Sequence, residues 1–328
     1  MLRTAPPKLS QIQDPIVDRL DRVVDEFRRI VAADFDRVTE INDYLLQVRG
    51  KLFRPSLLLL CSEIGGRSRP EAESLAAVVE LIHLSTLVHD DAVDHSVLRR
   101  GMPTVNAMWS HQVAIIMGDY LYSRSVSELA RLGDIEPVRI LAAAANAMSV
   151  GELRQLASCD ALDFTEQDYH LLIECKTASL IAAACELGAL YGDPTYRVPL
   201  ARFGHDLGMA FQIVDDLLDY TSDEAALGKP AGLDLREHKV TLPLLYALPR
   251  MSRSERERVE AFFAEPIPDD AEIAAIVQMV RDRGGLDYAK SQALMFAQRA
   301  RESLEGLPMS PALQALRESI AYVVERRH

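Results

Sequence analysis

Two short acidic runs carry the chemistry that this chain can offer. In Val88-His89-Asp90-Asp91-Ala92-Val93-Asp94, Asp90 and Asp94 are four residues apart. On a helix they share a face, and Asp91 lies one step round. The pattern recurs in Asp215-Asp216-Leu217-Leu218-Asp219, where Asp215 and Asp219 share a face in the same way. Three carboxylates within one turn repel one another unless cations neutralise them. Apolar sequence precedes both runs, LIHLSTLV and LGMAFQIV. A single copy would read most simply as a charged helix end. Two copies with the same apolar approach point to facing oxygen ligand sets. All-oxygen sites are hard, which favours magnesium over zinc. Magnesium keeps waters and takes part of its shell from phosphate, so the site implies a phosphorylated substrate.

Basic residues lie close to both runs. Arg99 and Arg100 follow Asp94, in a turn that continues Gly101-Met102-Pro103. Lys229 and Lys239 follow Asp219. Upstream, Gly50-Lys51-Leu52-Phe53-Arg54-Pro55 opens an apolar helix whose first turn can offer backbone N–H groups to a phosphate. Lys176-Thr177 interrupts an apolar helical run, a costly place for an ammonium unless it faces a polar pocket. Each has a plain alternative: a helix start, a solvated turn, or a lysine that snorkels.

These residues must be positioned by helices. Asp14 to Ala33 places Ile16, Leu20, Val23, Val24, Phe27 and Ile30 on one stripe, with Asp14 as cap and Pro15 in the first turn. Helical patterns follow at 36–48, 51–64, 70–94, 104–131, 136–158, 165–191 and 195–222. Shorter ones fall near 239–248, 253–264, 269–283, 286–304 and 310–326. Breaks fall at Gly65-Gly66, Gly101-Met102-Pro103, Gly192-Asp193-Pro194 and Gly228-Lys229-Pro230. No strand-like alternation is sustained, so the chain reads as one all-α domain over residues 1–328, with 1–12 a flexible tail.

Composition narrows the function further. A net charge of -13 argues against a nucleic-acid surface. Cys61, Cys159, Cys175 and Cys185 form no C-x-x-C pair and read as reduced thiols. The N-terminal residues show no apolar signal region, and no uninterrupted apolar run is long enough to span a bilayer. A cytoplasmic location is the expectation.

The motifs GKLFRP, DDAVD with RRGMPTVN, GDYLYSRS, KTA, and FQIVDDLLD with LGKPAGLDLREHK resemble, in this order, the trans-type isoprenyl diphosphate synthases, or polyprenyl synthetases. The resemblance runs from about residue 40 to the C-terminus. It implies a bundle of about ten or more helices around a deep central cavity, usually a homodimer, using three magnesium ions with substrate bound. It implies metal ligation by Asp90, Asp91 and Asp94, and by Asp215 with Asp216 and Asp219 behind it. Lys51, Arg54, His83 and Arg100 would hold isopentenyl diphosphate. Arg99, Lys176, Thr177, Gln212, Lys229 and Lys239 would face the allylic diphosphate, with Asp90, Asp94, Asp215, Lys176 and Arg99 as the catalytic set. Arg49 and Leu52 depart from the family's usual Gly and Arg at those places.

The prenyl tail is expected along the helix before Asp90, past Thr86 and Ser85, then Ile82 and Leu81, then Val78. One isoprene unit spans roughly three residues at helical rise. Short-chain members often put an aromatic floor where Thr86 and Ser85 stand. The small pair implies a product of about C30–C50 from a farnesyl or geranylgeranyl starter. The alternatives are a geranylgeranyl (C20) synthase with its floor at Met117, Leu121 or Tyr122, a class I terpene cyclase, and a non-catalytic subunit of a heteromeric synthase.

Overall fold

The computed structural model describes residues 7–47, 50–158, 162–221, 232–266 and 268–326. Seventeen α-helices account for nearly all regular structure among them. Helix α1 is Leu9–Gln13, and the turn Asp14–Ile16 leads into α2, Val17–Ile30. Residues 9–12, expected within a flexible tail, are therefore helical, and Ile12 is fully buried. The stripe read from the sequence is the inner face of α2: Leu20, Val23, Val24, Phe27 and Ile30 are all buried. Next come α3 (Asp36–Gln47), α4 (Phe53–Glu63) and α5 (Glu71–Val93).

Helix α5 is the axis of the fold. It packs on α2, α4, α7 and α10, and from Leu75 to Ile82 every residue is buried. By length and composition it is apolar enough to cross a membrane, yet 67% of that window is buried inside the protein. It is a core helix. After it, Leu98–Arg99 (β1) pairs antiparallel with Met102–Pro103 (β2), the sheet found among the described residues. The two residues between them, Arg100 (φ 53) and Gly101 (φ 77), take the left-handed conformation that a two-residue hairpin demands.

The helix expected over 104–131 is two. Helix α6 (Val105–Met108) ends at Trp109, and Ser110 starts α7 (His111–Leu132) by accepting the Val113 N–H. Helix α8 is Ile135–Ser158. The helix expected over 165–191 is also interrupted. Helix α9 (Glu166–Ile173) passes through a π-helical turn, Glu174–Ala178, into α10 (Ser179–Tyr191). Helix α11, Arg197–Thr221, carries the second acidic run. Then come α12 (Leu233–Arg236), α13 (Leu242–Ala247), α14 (Arg253–Phe263), α15 (Asp270–Asp282), α16 (Gly285–Ser303) and α17 (Pro311–Glu325).

Small residues let the inner helices approach closely. A Cβ at Gly188 of α10 would stand 2.3 Å from the Leu58 carbonyl oxygen of α4. The main hydrophobic cluster runs through α2, α4, α5, α10 and α11. A second cluster, with Tyr220, Leu235, Phe262, Phe263 and Ile276, packs the end of α11 against α12, α14 and α15.

Candidate active site

Asp90 lies in the last turn of α5 and Asp94 caps it. Burial pushes the Asp90 carboxyl up to about 6; Lys176 opposes the shift, while Glu152 and Asp94 add to it. Burial also raises Asp94, against the pull of Lys239. The two acids therefore share a neighbourhood with Lys176 and Glu152. Asp91 does not join them. It is buried on the next face, where Arg99 Nε donates to both its carboxylate oxygens at 2.9 Å. Arg99, expected at the allylic diphosphate, is thus held by an expected metal ligand.

Lys176 reaches this cluster from the π turn. Such a turn inserts one extra residue, so it re-aims side chains without ending the helix. The Lys176 ammonium pairs with Glu152 at 2.6 Å and donates to Gln155 Oε1 at 2.8 Å. Both acceptors are on α8. The sequence reading missed them, although Gly-Glu-Leu-Arg-Gln is a polar i, i+3 pair in an otherwise Ala-rich helix. Thr177 donates to Gln212 Oε1 at 2.7 Å, and Gln212 Nε2 donates to Asp216 Oδ1 at 2.8 Å. Tyr169 donates to the other Asp216 oxygen at 2.6 Å. Burial lifts Asp216 to about 7 in spite of these two bonds, and Asp215 and Asp219 push the same way. Tyr169 is a second residue that the motifs did not flag.

The rest of the second run is spread over two partners. Asp215 pairs with Arg326 at 2.9 Å, and Arg326 also donates to the Phe211 carbonyl at 3.0 Å and lies over the Phe211 ring. Asp219 accepts the backbone N–H groups of Leu233 and Asp234 at 3.0 and 3.1 Å, holding the start of α12. Burial still leaves Asp219 raised. Lys239 pairs with Glu237, and its charge is felt by Asp94 of the first run and by Asp219 and Asp234. It links the two acidic segments. Lys229 lies outside the described residues.

A second cationic group stands beside α5. Burial lowers the Arg54 guanidinium, which faces Glu80 and Arg100, and its Nε has no hydrogen-bond partner. His83 is held well below its usual range by burial and by Arg54, Arg100 and Arg99. Gly50 touches the Arg100 guanidinium: a Cβ there would meet it at 2.9 Å. Lys51 is exposed, and its carbonyl accepts from Gln13. The structure thus brings Arg54, His83 and Arg100 together beside Gly50.

Of the tail-channel candidates, Leu81, Ile82 and Ser85 are buried. The Ser85 hydroxyl donates to the Gly118 carbonyl of α7 at 2.8 Å. It packs against a neighbouring helix, as its small size also allowed. Thr86 is half-buried, with its hydroxyl turned back to the His83 carbonyl.

Could magnesium bind here? Among the described residues no three His, Cys, Asp or Glu side chains form a ready-made cage. That suits an ion that takes much of its shell from phosphate and water. The donors available are carboxylates whose affinity for protons is raised by burial and mutual repulsion, a state that a divalent cation would relieve. The residues fit the group.

Residues 35–280 match the family described as polyprenyl synthetase. The chain is 39% identical over 323 residues to heptaprenyl diphosphate synthase component 2 of Geobacillus stearothermophilus, covering 97% of this chain and 99% of that one. It is 36% identical over 321 residues to a short chain isoprenyl diphosphate synthase of Methanothermobacter thermautotrophicus, covering 95% and 98%. A solved decaprenyl diphosphate synthase from Rhodobacter capsulatus superposes with a TM-score of 0.93 at 33% identity, covering 98% of this chain and all of that one.

Proposed function

This chain belongs to the polyprenyl synthetase family, and from that premise we propose that it condenses isopentenyl diphosphate with an allylic diphosphate to an all-trans product of C30–C50. The observation that supports this most is that Lys239 acts on both acidic runs, on Asp94 at the end of α5 and on Asp219 of α11, while Lys176 faces Asp90. The heptaprenyl and decaprenyl synthases it resembles favour a long product. The short chain relative keeps a shorter product as the alternative, which the sequence puts at C20.

In the reaction, the allylic carbon–oxygen bond breaks and pyrophosphate departs with the electron pair. The double bond of isopentenyl diphosphate attacks the allylic cation, a carbon–carbon bond forms, and a proton is lost to the pyrophosphate. Members of this family are generally magnesium-dependent, and three ions held through Asp90, Asp94 and Asp215 would neutralise the leaving group's charge. Lys176 donates to the leaving oxygens, and to do so it exchanges Glu152 for phosphate. Lys239 and Lys229 add positive charge from the segment after α11. Asp216 holds Gln212, and through it Thr177, in place under the allylic site. Arg54, His83, Arg100 and Lys51 bind the second diphosphate. The apolar walls exclude water that would quench the cation. The tail runs past Thr86 towards Ile82.

We further propose one domain and a homodimer. Helices α7 and α8 expose Ile115, Ile116, Val126, Leu153 and Leu156, a face suited to a second copy. The test is incubation of purified protein with magnesium, labelled isopentenyl diphosphate and C5, C10, C15 or C20 starters, with products sized after dephosphorylation. A ladder reaching C30 or longer supports the reading. A stop at C20 moves it to the alternative. No incorporation by a homodimer of verified mass refutes it and points to an unlike partner subunit.

A further inference from the structure

Helix α8 and the π turn touch at Gly151: a Cβ there would stand 3.0 Å from the Cys175 Cβ and 3.0 Å from the Lys176 backbone nitrogen. That close approach fixes the next residue, Glu152, beside the Lys176 side chain. Its Oε2 pairs with the ammonium at 2.6 Å, and the Glu152 side chain is only 19% exposed. Its Oε1 is buried without a hydrogen-bond partner. Gln155, three residues on, accepts from the same ammonium at 2.8 Å. Asp90 and Asp94 both feel the Glu152 charge, so this carboxylate stands at the acidic cluster without belonging to either run. A half-satisfied buried carboxylate is costly, and this one depends on Lys176 for its stabilisation. Helix α8 therefore holds an anion that competes for the ammonium with any diphosphate at the cluster.

We propose that Glu152 is a positioning residue for product release: it withdraws Lys176 from pyrophosphate after the carbon–carbon bond has formed, so that pyrophosphate leaves before the next condensation. The inference rests on the function proposed above, which places Lys176 on the leaving oxygens. An ammonium without a competitor would bind the starter's diphosphate and free pyrophosphate alike, and binding shared by both ends of the reaction adds nothing to turnover. The Glu152 carboxylate offsets that shared part. As the allylic bond breaks, charge rises on the leaving oxygens and draws Lys176 across. Once pyrophosphate has taken up the lost proton, its hold on the ammonium weakens and Glu152 regains it. A chain built by repeated condensations needs this exchange at every step.

The test uses Glu152→Gln, which keeps an acceptor of the same size and removes the charge. Binding of pyrophosphate with magnesium is measured by calorimetry on parent and variant. Loss of a charged competitor should tighten that binding about tenfold. In a Lys176→Gln background the same change should tighten it about threefold or less, because Glu152 acts through Lys176. Single-turnover condensation should stay within about twofold of the parent, while steady-state kcat and the starter KM fall together. Glu152→Asp, which restores the charge, should recover most of kcat. Should Glu152→Gln melt early, Glu152→Met removes the same charge at similar length. Pyrophosphate binding that is unchanged or weaker in a folded variant overturns the proposal. So does a single-turnover rate that falls as far as kcat, or tightening that persists in full without Lys176. Failure of the parent to incorporate isopentenyl diphosphate is a different result, read before any variant is compared, and overturns the proposed function itself.

Discussion

The replacement Tyr169→Phe removes one hydroxyl and leaves the ring in the core. That hydroxyl donates at 2.6 Å to Asp216, a buried carboxylate held at about 7. A hydrogen bond to a charged group contributes about 1.5–3 kcal/mol. Its loss falls on the ionised form, and one pKa unit corresponds to about 1.4 kcal/mol, so Asp216 should rise by roughly one to two units. The Gln212 bond to the other oxygen remains. If ionised Asp216 keeps Gln212 and Thr177 in register, activity requires the deprotonated form. The acid limb of the kcat profile then moves to higher pH by one to two units, so turnover falls most at the acid end of the range. The alkaline plateau keeps more than a third of the parental rate. The assay is isopentenyl incorporation from pH 5.5 to 9.5 at saturating magnesium and starter. Asp216→Asn alone and combined with Tyr169→Phe completes the cycle: the second change should add little once the carboxylate is gone. An acid limb that stays in place, with the rate lowered equally at every pH, would refute the reasoning.

Thr86→Phe should shorten the product by one or more isoprene units, whereas Ser85→Phe should instead cost about 1–3 kcal/mol of stability, because Ser85 packs on Gly118; product sizing and thermal melts separate the two, and a shortened product from a fully stable Ser85→Phe would contradict the assignment. Gly188→Ala should lower Tm by several degrees through a cost of about 1–3 kcal/mol, since its Cβ would meet the Leu58 carbonyl oxygen at 2.3 Å; an unchanged melt would show that α4 and α10 are not so close. For the metal-free protein, Asp90 and Asp216 titrate near 6 and 7 in the fold against 3.8 ordinarily. The folded state then holds the extra protons, so these groups favour folding at low pH and that contribution is lost as pH rises from about 4 through 7. Magnesium with pyrophosphate should therefore raise Tm more at pH 8 than at pH 5, and equal increments at the two pH values would count against the buried acids as its ligands.

Much of this protein is local enough to be read from its sequence. The stripe of α2 turned inward as the 3.6-residue period requires, and Asp90 and Asp94 share a site because residues four apart share a helix face. Other features depend on what the neighbouring element presents, which spacing does not encode. Asp91 is one residue from Asp90, and a turn of about 100° gives it to Arg99 on the ribbon, away from the Lys176 and Glu152 that neighbour Asp90. Ser85 and Thr86 look interchangeable as small residues, yet the same rotation points Ser85 at the α7 backbone. The π turn that delivers Lys176 to Glu152 has no signature in residue type; it exists because α8 and α11 pack on both sides of that turn. Likewise Tyr169 and Arg326 reach Asp216 and Asp215 across separations of 47 and 111 residues. The sequence determined which faces carry charge. The tertiary structure decided which charges meet, because that follows from the rotation and depth of each helix against its neighbours.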